Sequence, residues 1–190
     1  MEHAECEVRV LNININDIKT KLESLGAKNK GEYFQRRFVY DFNPVNPNSW
    51  IRLRTNGVET TLTIKNVVSK DKIDGTKELE VVVGDFDTTN EILNRLGYVA
   101  RNYQENKRIS YDLNGVEIDI DSWPLIDDYM EIEGKSVSEV EDTLKKLDID
   151  NEKVTTLDVA SIYHDIYNID VLKIRELRFD ESMLEYNESL

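Results

Sequence analysis

Cysteine and histidine are scarce in this chain. The 190 residues include one cysteine, Cys6, and two histidines. A single cysteine forms no internal disulfide and builds no structural zinc site by itself, so the sequence excludes a disulfide-stapled fold and favours a reducing compartment. Cys6 alternates with charged residues along a predicted strand, which is typical of a small buried hydrophobe rather than a nucleophile.

Long apolar runs are also absent from the sequence. No segment approaches the roughly 20 apolar residues of a membrane helix, and the first ten residues, MEHAECEVRV, contain no apolar core of a secretory signal. With 39% hydrophobic residues, 8 glycines and 3 prolines, the composition is typical of one folded domain. We therefore expect a cytoplasmic protein that does not associate with a membrane.

Positive charge is in the minority. The chain has 24 lysines and arginines against 38 aspartates and glutamates, which gives a formal net charge of −14. A field of this sign repels the phosphates of nucleic acids unless the basic residues are segregated on one face. We therefore expect no nucleic-acid partner.

Two asparagine–glycine pairs mark hairpins. Asn56-Gly57 joins two alternating runs between residues 50 and 65, and Asn114-Gly115 joins residues 106–113 to residues 116–123. Each pair suits a two-residue type I′ turn, in which both central residues need a positive φ. Four further strands are predicted from alternation at residues 1–10, 33–41, 77–84 and 129–134, which makes eight in all.

Four segments have helical spacing of their apolar residues. The first begins at Asn16, its predicted N-cap, and the second covers residues 89–96 after a capping box that begins at Thr88. The third is announced by the capping box Ser138…Glu141, and the fourth spans about residues 158–167.

The order of these elements favours an α+β fold. Helices are too few for a βαβ alternation, and consecutive hairpins favour an antiparallel sheet that closes into an eight-stranded β-barrel with helices on its outer face. We expect one domain over residues 1–175, followed by an acidic C-terminal tail at residues 176–190.

Charged residues share one side of six predicted strands, while the opposite side is aliphatic. The aliphatic residues, Leu79 and Val81 among them, are expected to pack beneath the helices. If the sheet closes, the charged sides line the interior of a tunnel. An open, solvated face with weak ion pairs is the alternative, which six strands with one pattern disfavour. The acidic members are Glu5, Glu7, Glu78, Glu80, Glu117, Asp119, Asp121, Glu131 and Glu133; the basic members are Arg9, Arg52, Arg54, Lys65 and Arg108.

Carboxylates clustered at this density repel one another unless a cation lies among them. Desolvation and like charge both raise carboxyl pKa values, so a divalent metal would stabilise the cluster. Oxygen ligands without histidine or cysteine indicate Mg²⁺ or Mn²⁺ rather than Zn²⁺. The basic residues in turn need an anion, and arginines two apart on a strand present forked donors that suit phosphate oxygens. Metal together with arginine and lysine is typical of phosphoryl transfer.

In this order the residues resemble the CYTH family, also called triphosphate tunnel metalloenzymes. The segment Glu5-Cys-Glu7-Val-Arg9 resembles the family's EXEXK signature, with Arg in place of Lys. Trp50-Ile-Arg-Leu-Arg54 and Leu62-Thr-Ile-Lys65 resemble its RLR and LTXK strands. The family order continues through Glu78-Leu-Glu80, Arg108, Asp121, Glu131-Ile-Glu133 and the C-terminal helix motif Ser161-Ile-Tyr163.

The resemblance implies an antiparallel tunnel that binds triphosphate on its basic side and Mg²⁺ or Mn²⁺ on its acidic side. The predicted metal residues are Glu5, Glu7, Glu78, Asp119 and Glu133. The predicted triphosphate contacts are Arg9, Arg52, Arg54, Lys65 and Arg108. The predicted catalytic residues are Lys65, Glu80, Asp121 and Glu131, and the last three are expected either to bind the metal or to position water.

Two positions and one short segment depart from the family pattern. Asn106 stands where many members carry a second Lys before Arg108, and Arg37 stands where many carry Asp. Ile126-Asp127-Asp128-Tyr129 replaces a glycine-containing turn. These departures concern the substrate rather than the fold.

Three functions follow from this pattern. Hydrolysis of a triphosphate ranks first, because cyclisation of ATP by a class IV adenylate cyclase additionally needs a site for adenine and ribose. A nucleotide or polyphosphate sensor is the non-enzymatic alternative, although it would not need both EXE pairs. The expected partner is a small triphosphate, namely tripolyphosphate, thiamine triphosphate or ATP, and a homodimer is an open alternative to a monomer.

Overall fold

A strongly curled antiparallel sheet forms the frame of the molecule. The computed structural model describes residues 3–180 and 184–186, with the side chains of residues 6–180 and 184. The strands of the described part are β1 (His3–Val10), β2 (Lys28–Asp41), β3 (Ser49–Thr55), β4 (Thr60–Val67), β5 (Thr76–Val83), β6 (Ala100–Leu113), β7 (Val116–Ser122), β8 (Tyr129–Gly134), β9 (Val154–Thr155), β10 (Ile174–Leu177) and β11 (Glu185–Tyr186). Its α-helices are α1 (Ile15–Ser24), α2 (Phe86–Arg95), α3 (Val137–Leu147) and α4 (Val159–Tyr167).

Eight of these strands form a ring of paired neighbours. The order is β6-β2-β3-β4-β5-β1-β8-β7, and the antiparallel pairing of β7 with β6 brings the ends together. The predicted α+β fold with a curled antiparallel barrel is confirmed. Three short strands extend the ring at its edges: β9 pairs with β1, β10 runs parallel to β6, and β11 pairs with β10. β10 therefore crosses the predicted boundary between residues 175 and 176.

The second predicted hairpin turn has the expected geometry. Leu113 pairs with Val116, and the two residues between them have positive φ, 56° at Asn114 and 91° at Gly115. Positive φ at both central residues is the requirement of a type I′ turn, whose twist matches that of the strands.

The first hairpin forms, but its type I′ turn is wrong. Thr55 pairs with Thr60, and the Asn56 N–H donates to the Glu59 carbonyl at 3.2 Å, so Gly57 and Val58 form the tip. Gly57 has φ 86° and stands first of the two, as a type II′ turn requires. Asn56 Oδ1 accepts from the N–H groups of Val58 and Glu59, which holds Asn56 before the tip.

Three helices begin earlier than their predicted caps. Asn14, not Asn16, caps α1; Asp85 caps α2 by accepting from the Thr88 N–H; and Ser136 caps α3 by accepting from the Glu139 N–H. In each case an oxygen-bearing side chain two or three residues upstream accepts the free N–H groups first. None of the helices in the described part of the chain is both long and apolar enough to cross a membrane.

The outward face of the barrel packs beneath helices over most of its circumference. Val8, Ile118 and Ile132 form one core with Leu22 of α1 and Val140 of α3. A second core joins the outer face of β2 and β3 to α2. A third core joins Tyr163 of α4 to Tyr129, an inward-facing residue of β8, so this core does not belong to the outer face. The alternation of the strands thus separates an aliphatic outer face from a charged inner face.

Strand β5 is the exception to this packing. Leu79 is 46% exposed and Val81 is 57% exposed, so the expectation that both pack beneath a helix is wrong. The physical reason is the path of the chain, because α2, which follows β5, packs with residues of β3 such as Ile51 and Leu53.

Candidate functional site

One cavity of about 850 Å³ extends into the barrel, and its lining draws on all eight ring strands and on α4. It contains most of the residues that the sequence predicted: Glu7, Arg9, Arg52, Arg54, Lys65, Glu78, Glu80, Arg108, Glu131 and Glu133. Strand alternation puts these side chains on the inner face, and ring closure brings them together. The side chain of Glu5, a predicted metal ligand, lies outside the part of the chain whose side chains are described.

Asp119 and Asp121 lie behind the lining rather than on it. Both are buried, and Asp121 accepts two bonds from Arg108, at 2.8 Å from Nε and 2.6 Å from Nη2. Arg108 Nη1 lies 2.5 Å from Asp119 Oδ2. Burial raises the pKa of Asp119 to about 7, with Arg108 opposing and Glu117 adding to the rise. The pair fixes the orientation of the Arg108 fork.

A trio of carboxylates forms the acidic wall. One oxygen from each of Glu7, Glu131 and Glu133 lies within 4.8 Å of the other two. The β1–β8 register explains this proximity, because it places Glu7 opposite Glu133 and Arg9 opposite Glu131. All three side chains thus point to the same face of adjacent strands.

The pKa values of two carboxyl groups of this trio, Glu7 and Glu131, are shifted in opposite directions. Burial raises the pKa of Glu7 to about 7, and the neighbouring Glu131 adds to the rise while Arg9 opposes it. Burial acts on Glu131 in the same direction, but Arg9 and Arg108 outweigh it and hold the pKa of Glu131 well below its usual range. An oxygen-rich, partly buried cluster of this kind fits a hard divalent cation.

Most cations of the cavity are paired with carboxylates. Arg9 lies 2.9 Å from Glu7 and also donates to the Leu157 carbonyl at 3.0 Å. Lys65 forms an ion pair with Glu78. These ion pairs hold the charged ends of Arg9 and Lys65 in place on the cavity wall.

Arg52 and Glu80 form a further pair with the help of a hydroxyl group. Arg52 Nη2 lies 3.4 Å from Glu80 Oε2, which also accepts from the Thr63 hydroxyl at 2.6 Å. Burial would raise the pKa of Glu80, but Thr63 and Arg52 outweigh it and lower the pKa. Glu80 therefore stays ionised and available as a hydrogen-bond acceptor.

Arg54 differs from the other predicted phosphate contacts. Within the described part of the chain, no carboxylate oxygen lies within 4.0 Å of its guanidinium nitrogens. Arg52, then burial and Arg108, lower the pKa of Arg54 to about 10. A cation with these neighbours is poised to accept an anion.

Arg37 also lines the cavity, although its residue type and position in the sequence predicted no role for it. It lies opposite Arg54 in the β2–β3 register, donates to Gln35 Oε1 at 3.0 Å and to the side chain of Asn106, and its guanidinium lies 4.5 Å from the centre of the Trp123 ring. The two substituted family positions, Arg37 and Asn106, therefore contact each other. The alternation of side chains along β2 could have predicted that Arg37 faces the cavity, because its neighbour Phe38 faces outward.

Two aromatic side chains of the wall carry unpartnered polar atoms. Trp123 Nε1 and the Tyr129 hydroxyl are buried without a hydrogen-bond partner in the described part of the chain, and both residues line the cavity. Whether these two polar atoms can contact a ligand depends on how α4 packs against the barrel. No local sequence pattern predicts that packing.

Comparison with known proteins identifies relatives of this arrangement. The family model of the CYTH domain matches residues 3–163. The PH1012 protein of Pyrococcus horikoshii OT3 is 27% identical, with a TM-score of 0.69 over 80% of this chain and 94% of that chain. No curated protein matches the sequence.

Two more distant structures share the fold. A putative adenylate cyclase from Vibrio parahaemolyticus is 11% identical, with a TM-score of 0.72 over 84% of this chain and 97% of that chain. The putative adenylyl cyclase HpAC1 from Hippeastrum, described as having a dominant triphosphatase activity, is 16% identical, with a TM-score of 0.56 over 87% of this chain and 96% of that chain. At these identities the likeness shows the fold alone.

Proposed function

This chain belongs to the CYTH family, and from that premise we propose that it is a divalent-metal-dependent enzyme that hydrolyses a triphosphate inside its barrel. One observation carries the proposal: a carboxylate trio and a set of arginine and lysine side chains line the same cavity. Acidic groups suit a metal ion and basic groups suit phosphate oxygens, and phosphoryl transfer needs both.

The metal is assigned to Glu7, Glu131 and Glu133. Carboxylate oxygens within 4.8 Å of one another suit Mg²⁺ or Mn²⁺, which take oxygen ligands. When bound, such an ion neutralises charge on phosphoryl oxygens and activates water. Glu78 lies against Lys65, and Asp119 lies behind Arg108, so their proposed contribution is to orient these cations.

The cations hold the substrate and orient the reacting groups. Arg52, Arg54, Lys65 and Arg108 bind the non-bridging phosphate oxygens, and the paired ones are already extended into the cavity by their carboxylates. Glu80, held ionised by Thr63 and Arg52, accepts a hydrogen bond from the attacking water. The water oxygen attacks the terminal phosphorus in line, and the bond from that phosphorus to the bridging oxygen breaks. The electron pair of the broken bond stays on the bridging oxygen of the diphosphate, and the proton lost by the water passes to the product phosphates, so inorganic phosphate and a diphosphate are released.

The test is a product assay on the purified protein. Tripolyphosphate, thiamine triphosphate and ATP are each incubated with Mg²⁺ or Mn²⁺, and phosphate, pyrophosphate and cyclic AMP are measured. We expect release of phosphate from at least one substrate and no release in EDTA. Binding of a triphosphate without any product would contradict the proposal and favour a sensor.

An adenylate cyclase is the second candidate, and one observation favours it. The cavity lining also includes the apolar side chains of Val45, Pro47, Trp50, Val171 and Leu172, which suit an organic group on the triphosphate. In cyclisation the 3′-hydroxyl of ATP attacks the α-phosphorus and pyrophosphate leaves. The same assay distinguishes the two reactions, since only cyclisation yields cyclic AMP with pyrophosphate.

A further inference from the structure

Two arginines that line the cavity, Arg37 and Arg54, have no carboxylate partner in the described part of the chain. Within the described residues, no carboxylate oxygen lies within 4.0 Å of the guanidinium nitrogens of Arg37 or Arg54. The two are directly opposite in the antiparallel β2–β3 pair. Side chains at such positions start about 4.5–5.5 Å apart at Cβ, and like charges there are destabilising.

Arg37 is the more confined of the two. It is 7% exposed, its hydrogen-bond acceptors Gln35 and Asn106 are neutral, and its Nε has no partner in the described part of the chain. Burial, with Arg52, Arg54 and Arg108 nearby, lowers the pKa of Arg37. Since a guanidinium keeps its proton in proteins, this buried charge calls for an anion.

The position of the pair fits a ligand that enters from the rim. On β2 the lining runs from Asp41 through Val39 to Arg37, and Gln35 is not part of it. Asp41 pairs with Trp50 beside the exposed loop of residues 43–48, so the pair Arg37–Arg54 marks the opposite limit of the cavity on these strands.

We propose that Arg37 and Arg54 form a subsite for the terminal phosphate of a linear triphosphate, with Arg37 as a direct phosphate contact. This inference rests on the proposed function, in that the ligand is a triphosphate. A terminal phosphate carries up to two negative charges at neutral pH, whereas an internal one carries a single charge. Two forked guanidinium groups match the larger charge and can each bind two oxygens.

The test compares a ligand that has terminal phosphates with one that has none. Linear tripolyphosphate and cyclic trimetaphosphate, which has only internal phosphates, are titrated calorimetrically into metal-free protein in EDTA. We expect Arg37→Gln to weaken binding of the linear ligand roughly 10- to 100-fold and that of the ring less than about threefold. Arg36→Gln is the matched control, because Arg36 is an exposed neighbour that lies over the Phe86 ring.

The outcomes separate the subsite from the proposed function. Equal losses for both ligands, or no loss for the linear one, would overturn the subsite. If Arg37→Gln does not fold, Arg37→Lys decides, because it keeps the charge but not the fork and should still weaken the linear ligand about three- to tenfold. Binding that depends on Arg37 without hydrolysis would contradict the proposed function alone, whereas a wild-type protein that binds neither ligand would contradict both.

Discussion

Most of the cations in the barrel are paired with a carboxylate, and Arg37 and Arg54 are the exceptions among its arginines in the described part of the chain. Arg9 lies against Glu7, Lys65 against Glu78, and Arg108 against Asp121. Removing one member of a buried pair leaves the other charge uncompensated, which costs more than the pair contributes when intact. Single substitutions can therefore distinguish residues that bind a ligand from residues that orient a charged partner.

Glu7→Gln tests a residue assigned to the metal. The change keeps the shape of the side chain and removes a carboxylate of the trio, so we expect triphosphate hydrolysis to fall at least ~100-fold, the scale of losing one preorganised electrostatic contact. Mn²⁺ affinity, measured by calorimetry, should fall in parallel. Glu23→Gln on the exposed side of α1 is the control. A variant with unchanged Mn²⁺ affinity would remove Glu7 from the metal site.

Asp121→Asn tests a residue that holds Arg108 without lining the cavity. Asp121 is fully buried and accepts bonds from Arg108 and Asn106. We expect the free energy of unfolding, measured in urea, to fall by about 2–3 kcal/mol, because the guanidinium loses its bidentate partner but keeps Asp119. Asp142→Asn, which removes an exposed partner of Lys145, should change it by about 0.5 kcal/mol or less. Similar losses in both variants would be inconsistent with this assignment.

At the scale of elements, the sequence predicted the faces of strands better than the ends of elements. Alternation determines which side chains point inward, and closure of the ring then gathers Arg52, Lys65 and Glu131 into one cavity. Cap positions were predicted too late because several Asn, Asp and Ser side chains stand near each helix start, and only the folded backbone decides which one accepts the free N–H groups.

The sequence did not predict the roles of residues that depend on how deeply a side chain is buried or on which residues pair across neighbouring strands. Asp119 and Asp121 share the inward side with Glu117, yet Arg108 covers them, a relation set by how β6 and β7 pair. Arg37 acquires its position from the β2–β3 register, which fixes its neighbour as Arg54. Such relations involve residues far apart in sequence, so no local pattern contains them.

The packing of helices on the barrel predicts a contrast between two leucines. Leu22 of α1 is fully buried in the core beneath α1 and α3, whereas Leu79 of β5 is largely exposed. Leu22→Ala should lower the free energy of unfolding by about 2–5 kcal/mol, because it removes buried methyl groups and leaves a cavity. Leu79→Ala should lower it by about 0.5 kcal/mol or less. Urea denaturation measures both, and a large loss at Leu79 would indicate that another surface covers β5 in solution.

The whole molecule combines a negative net charge with cations that are buried inside the barrel. The chain carries −14, yet Arg9, Arg37 and Arg52 are buried within the barrel. Long-range repulsion by the acidic surface acts on every polyanion, whereas the buried cations act only on a ligand that enters the cavity. A short, linear anion satisfies that condition and a nucleic-acid duplex does not.

Thermal unfolding tests this distinction without relying on turnover. In metal-free buffer, tripolyphosphate at about 100 times its Kd should stabilise the protein by ~2.7 kcal/mol through mass action. For a domain of this length that corresponds to a rise in Tm of about 5–10 °C. A DNA duplex at the same phosphate concentration, and sodium chloride at the same ionic strength, should produce no comparable rise. If the duplex stabilised the protein as much as tripolyphosphate does, the cations would have to be accessible on the surface, and the tunnel could not be the source of selectivity.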